Sequence, residues 1–557
     1  MITPTPAEAP RTTAPHTTSA AATSTDAAPA GSTPAGTAPA DTSTSTASTK
    51  SRRAARFAGL AVIAFTTLSS LALFLLIAPT SPRPFYAPRQ AKVFGIEFSY
   101  DVNGPAVGLL VGAVIAGLLV AAFVAVYESR VSKASRRTHE NVAARPLAPK
   151  RIMSLTRGVY AGPVTVLALI PAHNEEKTIR RTIRSLQAQS VPPERIVVVA
   201  DNCTDDTVAL ARGAGAEVLE TVDNADKKAG GLNQALAVLL PALGDNDTVL
   251  VMDADTKFRS RRFLEVARRR FTDDRALMAV GGLFLGDSGA GLLGQFQRNE
   301  FTRYAREIER RRGKPFVLTG TATVFRSAAL RTVSRSRGTL LPGRKGDVYD
   351  TLALTEDNEI TIALKSLGGL MVSPQECTVV TEIMPSWKLL WKQRTRWQRG
   401  ALENLGQYGV TLTTLRYWFQ QIGIGYSVVA LSSYFAVLVL MLLAIDHWVW
   451  FTFWIAIGLV FMAERVITVW RGGWRARALA ALVIPELVFD LFLDIVFVKG
   501  VVDMTFGREA TWSHVDRGAA GTGASRGTSS AAEAQQGSGG PTVGESGTAD
   551  TAQGASL

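Results

Sequence analysis

Two short acidic runs, Asp253-Ala254-Asp255 and Thr355-Glu356-Asp357, border apolar segments that would fix their positions. Carboxylates two positions apart can share a hard divalent ion such as Mg²⁺ or Mn²⁺, and that ion can hold the phosphates of a charged donor. An Asp-Ala-Asp run alone occurs on many surfaces. Here it directly follows Thr248 to Met252, a strand-like run that would deliver both acids to a sheet edge. The second run opens a helix-like segment containing Ile360, Ile362, Ala363 and Leu364. Thr355 is placed to cap that helix, and acids in a first turn are also ordinary partners of the helix dipole.

The elements that must position these groups are legible upstream. Val164 to Ile170 reads as a buried strand, followed by a polar turn and a helix over 175–189 with Ile179, Ile183 and Leu186 on one face and Asn174 as its cap. Ile196 to Ala200 is a second strand, with Asp201 directly beyond its end. Such strand-helix-strand order gathers ligands beyond the carboxyl ends of the strands. Lys228 precedes Ala229-Gly230-Gly231-Leu232-Asn233, a helix start that is either a close approach to a nucleotide or a solvated cap. Gly320 and Thr321, before a short apolar run, would form a second pocket wall. Within 391–397, Gln393 and Trp397 stand one helical turn apart. Arg396 offers bidentate hydrogen bonds to phosphate and Trp397 a flat face for a sugar ring. The competing reading is an interfacial helix whose Trp and Arg anchor at headgroups.

The formal net charge is +13, but the basic residues follow the edges of apolar runs: Lys50, Arg52, Arg53 and Arg56 before the first, Arg130, Lys133, Arg136 and Arg137 after the second. This pattern fits membrane topology and anionic lipid, and nucleic acid is not an expected partner. Apolar stretches at 57–78, 105–127, 426–445, 449–469 and 478–498 predict about five spans. The flanking charges place 79–104 outside, and place Arg471, Arg475, Arg477 and a block at 145–400 in the cytoplasm. Glu486, Asp490 and Asp494, spaced four apart, share a helical face for which a structural ion-pair role and a channel-lining role stay open. Residues 1–50, rich in Pro, Thr, Ala and Ser, and 518–557, rich in Gly, Ser, Ala and Thr, predict disordered tails. The two cysteines, Cys203 and Cys377, give no disulfide framework.

Over residues 160–405 the ordered motifs resemble the membrane-integrated family 2 glycosyltransferases, the group of cellulose, hyaluronan and poly-N-acetylglucosamine synthases. Pro171-Ala172-His173-Asn174-Glu175 resembles the family's first strand end, and Asp201-Asn202-Cys203-Thr204-Asp205-Asp206-Thr207 its second. The resemblance implies an α/β GT-A, Rossmann-like cytoplasmic domain inserted between transmembrane helices, with 401–425 as an interfacial region and three helices over 426–498. It implies donor binding by Asp201, Lys228, Asp253, Gln393, Arg396 and Trp397, and Mg²⁺ or Mn²⁺ on Asp253 and Asp255. It makes Asp357 the general base and puts Gly320, Thr321, Glu356 and Trp397 on the acceptor side. One departure is Leu318-Thr319-Gly320-Thr321-Ala322, which lacks the Cys and Asn of the Phe-x-Cys-Gly-Thr-Asn version.

The expected activity is inverting, processive transfer from a nucleotide sugar, a UDP-sugar in the first instance, making and exporting a β-linked polysaccharide from a multi-pass cell-membrane protein. Expected partners are the donor, a glycan or lipid acceptor, membrane lipids and accessory secretion proteins. Two alternatives remain: transfer of one sugar to a lipid or polyprenyl phosphate, and an inactive membrane scaffold.

Overall fold

The computed structural model describes residues 42–77, 89–101, scattered positions between 108 and 133, 163–274, 276–443 and 449–508. The transferase-like block is built from β1 (Val166–Ala172), α1 (Ile179–Gln187), β2 (Arg195–Ala200), α2 (Thr207–Gly213), β3 (Glu217–Glu220), α3 (Lys227–Leu239) and β4 (Thr248–Met252). It continues through β5 (Lys257–Phe258), α4 (Phe263–Asp273), β6 (Leu277–Gly281), β7 (Leu283–Gly286), α5 (Gly291–Arg310), β8 (Ala322–Arg326) and α6 (Ser327–Ser336). Then come α7 (Glu356–Ser366), β9 (Leu370–Val372), β10 (Thr378–Thr381) and α8 (Trp387–Tyr408).

Seven strands form one sheet in the order β9-β6-β8-β4-β1-β2-β3. The half β4-β1-β2-β3 is parallel, whereas β8 runs antiparallel to both β4 and β6. Alternation along the central strands fills two cores. Leu167, Leu169, Val249 and Val251 pack with Leu232 and Leu236 of α3 and Ile360 of α7 on one face. Val166, Ala168, Ile170, Leu250 and Met252 pack with Ile179 and Ile183 of α1 and Phe263 of α4 on the other. Burial on both faces explains why β1 and β4 read as continuous apolar runs. A smaller sheet, β5-β10-β7, draws its strands from between Lys257 and Thr381.

Helix α1 departs from expectation: it spans Ile179–Gln187, with Thr178 at the cap position and no side-chain cap hydrogen bond. Asn174 adopts φ 55° and its Oδ1 accepts from the Thr204 amide at 2.8 Å, so it ties two loops together. Thr355 does stand at the cap position of α7, yet makes no cap hydrogen bond.

After α8 come α9 (Leu415–Leu443), α10 (Thr452–Thr468), α11 (Trp474–Ala481) and α12 (Ile484–Thr505). Among the described residues one helix, Leu415–Leu443, is long and apolar enough to cross a membrane, and Arg56–Ala72 is a shorter apolar stretch within the helix Thr42–Ile77. Of the five expected spans, the helix Leu415–Leu443 alone is supported by length and composition among the described residues. The stretch 449–469 divides into a strand, Val449–Phe451, and the 17-residue α10. The stretch 478–498 breaks between Ala481 and Ile484. Its second part, α12, buries Glu486 and Asp494. Glu486 pairs with Arg303 and accepts from Asn299 Nδ2 at 2.9 Å, while Asp490 pairs with Arg465. Glu486 and Asp490 are thus structural ion-pair members. The stretch 105–127 lies largely outside the described residues, as do the two tails, except that Thr42–Ile77 begins inside the first.

Ile96–Asp101 pairs in parallel with Val449–Phe451. Arg471 holds Glu309 at the end of α5 at 2.7 Å.

Candidate active site

At the end of β2, Asp201 is 9% exposed, and its backbone N–H bonds the Ala172 carbonyl at 2.8 Å. Its Oδ1 accepts from Asn202, Thr221 and Asn224. His173 Nδ1 lies 2.6 Å from the Asp201 carbonyl oxygen. The chain turns sharply here: Asn174, Asn202, Asp223 and Lys227 all carry positive φ. Left-handed backbone at non-glycine residues is uncommon, and clustering beyond strand ends is a mark of ligand-shaping loops.

The second group forms beyond β4. The Asp253 amide bonds the Thr321 carbonyl at 3.2 Å, which brings the β8 entry against the acidic run. Lys228 Nζ, at the start of α3, lies 2.7 Å from Asp253 Oδ1 and 2.6 Å from Glu356 Oε1. Asp357 follows in α7, and its Oδ2 accepts from the Gly320 amide at 3.3 Å. Lys228, Thr319, Gly320, Tyr349, Glu356 and Asp357 line one small cavity. A β-carbon at Gly320 would stand 3.4 Å from Asp357 Oδ2 and 3.5 Å from Lys228 Nζ, so glycine keeps that wall thin.

Charge organises this cluster. Burial, reinforced by neighbouring Glu356 and only partly offset by Lys228, pushes the Asp357 carboxyl up to about 6. Burial opposes the Lys228 charge, but Asp253 and Glu356 outweigh it and hold the ammonium well above its ordinary value. Burial likewise works against ionised Glu356, yet Lys228 and Arg396 hold its carboxyl below the usual range. A paired acid kept ionised beside one kept protonatable is the arrangement expected of an acid-base site.

Arg396 reaches this cluster through its charge, acting on both Asp253 and Glu356. Gln393 and Trp397 share its helix, α8, but among the described residues no hydrogen bond joins either to the acids. Gln393 Oε1 is buried without a partner. Trp397 lies under Arg394, whose guanidinium carbon is 4.2 Å from the ring centroid and which bonds Glu300 at 2.8 Å. The close approach of α8 to α7 depends on Gly400, where a β-carbon would meet Thr355 Oγ1 at 2.6 Å. Asn404 donates to the Thr355 carbonyl at 3.3 Å. Gly400, Asn404, Arg394 and Glu300 were not singled out from sequence. A glycine inside an otherwise helical run is the one signal that marks Gly400.

Asp255 lies two residues beyond Asp253, and its Oδ1 accepts from Thr256 Oγ1 at 3.2 Å. Among the described residues no group of three or more His, Cys, Asp and Glu is placed to hold a metal. Two carboxylates nevertheless fit Mg²⁺ or Mn²⁺, which commonly take one or two protein carboxylates and complete their shell with phosphate and water. The Lys228 ammonium on Asp253 shows that this position is already compensated by positive charge.

Residues 163–400 match the family model described as glycosyltransferase like family 2. Residues 163–400 thus form a domain similar to the family 2 glycosyltransferases. That domain is 30% identical over 246 residues to a probable glycosyltransferase, YdaM, of Bacillus subtilis (strain 168), covering 42% of this chain and 54% of that protein. A 4,4'-diaponeurosporenoate glycosyltransferase of Staphylococcus aureus (strain MRSA252) is 33% identical over 114 residues, 20% of this chain and 30% of that one. The chain thus spans about half the length of the first relative and less of the second. Among solved structures, the mannosyltransferase PcManGT from Pyrobaculum calidifontis, in complex with GDP-Man and Mn²⁺, aligns with a TM-score of 0.43 at 15% identity, over 70% of this chain and 98% of that one.

Proposed function

We propose that this family 2 glycosyltransferase domain transfers a sugar from a nucleotide-sugar donor, a UDP-sugar in the first instance, to an acceptor hydroxyl with inversion. The observation that supports this reading best is the convergence of Lys228, Asp253, Glu356 and Asp357 at one strand edge. Asp357 takes the acceptor hydroxyl proton as that oxygen bonds the anomeric carbon. The bond from that carbon to the diphosphate breaks on the opposite face, and the nucleoside diphosphate leaves. Arg396 and Lys228 offset the charge that gathers on the leaving oxygen. Asp253 and Asp255 are the residues that would hold Mg²⁺ or Mn²⁺, which when bound neutralises diphosphate charge. Gly320, Thr321, Glu356 and Trp397 border the acceptor, and Asp201 the nucleoside.

We also propose that the apolar helices embed the protein in the cell membrane in a multi-pass arrangement with the domain cytoplasmic, and that repeated transfer builds and exports a β-linked polysaccharide. A second reading, one sugar passed to a lipid or polyprenyl phosphate, is favoured by the departure at Leu318 to Ala322. Proteoliposomes incubated with labelled UDP-sugars and Mg²⁺ or Mn²⁺, with and without chelator, test both. Heterogeneous long products support the first reading and one discrete lipid product the second. Absence of nucleotide-sugar binding would leave the scaffold reading.

A further inference from the structure

Asn224 lies in the loop between β3 and α3, shortly before Lys228. Its Nδ2 donates to Asp201 Oδ1 and to the Lys227 carbonyl, both at 2.7 Å. Its Oδ1 accepts from the Asp226 amide at 3.1 Å, and its own carbonyl accepts from Asn202 Nδ2 at 3.0 Å. This pattern fixes the amide's orientation. Exchanging oxygen and nitrogen would set an oxygen against a carboxylate and a carbonyl, and an N–H against an N–H.

The consequence falls on Asp201. Three donors converge on one of its oxygens: Asn224 at 2.7 Å, Thr221 Oγ1 at 2.9 Å and Asn202 Nδ2 at 3.2 Å. Among the described residues none bonds Oδ2. The carboxylate is therefore locked with one oxygen saturated and the other available to a donor group on a ligand. The loop that holds Asn224 is itself constrained, with positive φ at Asp223 and Lys227 on either side. Gly230 closes the arrangement from the helix side, because a β-carbon there would lie 2.1 Å from Asn224 Oδ1 and 2.7 Å from Asp226 Cβ.

We infer that Asn224 is a positioning residue for nucleoside recognition: it orients Asp201 so that Oδ2 accepts from an N–H or hydroxyl of a nucleoside diphosphate. This rests on the nucleotide-sugar reading above. Asn224 acts through Asp201 and touches none of the reacting atoms.

Equilibrium binding of UDP and of GDP to the purified full chain tests it. Asn224→Ala is expected to weaken binding of the nucleotide that the wild type takes by about 10- to 100-fold, the range for a hydrogen bond to a charged group. Asn224→Asp, of the same shape but unable to donate, and Gly230→Ala, which perturbs Asn224 from the helix, are expected to weaken it in the same direction. The decisive measurement is the cycle with Asp201→Ala, in which Asn224→Ala should add little further loss. Equal affinity in Asn224→Ala, or an undiminished loss in the Asp201→Ala background, overturns the inference alone. No binding of either nucleotide by the wild type removes the nucleotide-sugar reading and the inference with it. Thermal unfolding of each variant identifies one that fails to fold, and the remaining two then decide.

Discussion

Asp201 and Asp253 occupy equivalent places, each one residue past the end of a parallel strand, with only β1 between their strands. Their neighbours differ in kind. Asp201 is surrounded by neutral donors, Asn202, Thr221 and Asn224. Asp253 faces the Lys228 ammonium, with Glu356 on the same lysine and Arg396 adding its charge. Neutral hydrogen bonds fix direction without shifting the protonation of distant groups. Charges act at longer range and set which acids carry a proton. The topology supplies two equivalent perches, and under the proposed mechanism the surrounding side chains make one a reader of shape and the other a centre for proton movement.

The strongest way to break this contrast is Asp357→Asn. If the acid cluster does the chemistry, the transfer rate should fall by about 10²- to 10⁴-fold, the usual contribution of a general base, while nucleotide affinity stays close to wild type. Full transfer by the purified variant would reject the base assignment. The same substitution has an opposite effect on stability. The Asp357 carboxyl, at about 6 when folded against 3.8 ordinarily, favours its protonated form in the native state. The folded protein therefore binds more protons than the unfolded chain between those values, and stability falls as pH rises through that window. Asn has no such loss, so the variant should match wild type near pH 4 and exceed it at pH 7.5 by about 1 to 3 kcal/mol. Equal denaturation midpoints at pH 7.5 would show that the acid is not strained by burial.

A smaller effect is expected from Gly400→Ala, which tests whether the acid side depends on packing that the Asp201 side does not share. The added methyl would meet Thr355 Oγ1 at 2.6 Å, Thr355 Cγ2 at 2.8 Å and Leu354 Cβ at 3.2 Å. Helix α8 must then move away from the start of α7, at about 1 to 3 kcal/mol, the usual cost of overpacking. Since α7 carries Glu356 and Asp357, turnover should fall together with melting temperature, and nucleotide affinity should change less. A variant with wild-type stability and turnover would remove Gly400 from the positioning machinery.

This division also explains what the sequence made legible. Strands buried on both faces announce themselves as apolar runs, so Asp201 and Asp253 were readable as acids at a sheet edge. The link from Lys228 to Glu356 was not legible: the resemblance puts Lys228 with the donor and Glu356 with the acceptor, and no local pattern joins a helix start to an acid so far along the chain. Asn224 had no signal at all: it is one polar residue in a polar loop, and its meaning comes from Asp201 and Gly230 in space. The same limit produced the errors and the open choices. Asn174 looks like a helix cap until Thr204 is folded beside it at 2.8 Å. For Glu486 the sequence left an ion-pair and a channel-lining role open, and Arg303, 183 residues earlier, supplies the ion pair. Hydropathy windows register the apolar residues of 478–498 but not the break before Ile484 or the polar face that α12 buries.

The finest test of the contrast is a pair of substitutions expected to move the acid limb of the rate profile in opposite directions. Lys228 lowers the Asp357 carboxyl and Glu356 raises it. Lys228→Gln should therefore shift the acid limb of kcat/KM to higher pH, because the base is then harder to ionise. Glu356→Gln should shift it to lower pH, because a like charge has been removed. The limb of kcat/KM reports the free enzyme, so its position can be read even where both variants are slower overall. Asn224→Ala, acting on a carboxylate surrounded by neutral donors, should weaken the donor interaction while leaving the limb in place. Limbs that move the same way in the two charge variants would mean that Asp357 is not the group being titrated, and a limb displaced by Asn224→Ala would mean that the two strand ends are electrostatically one site.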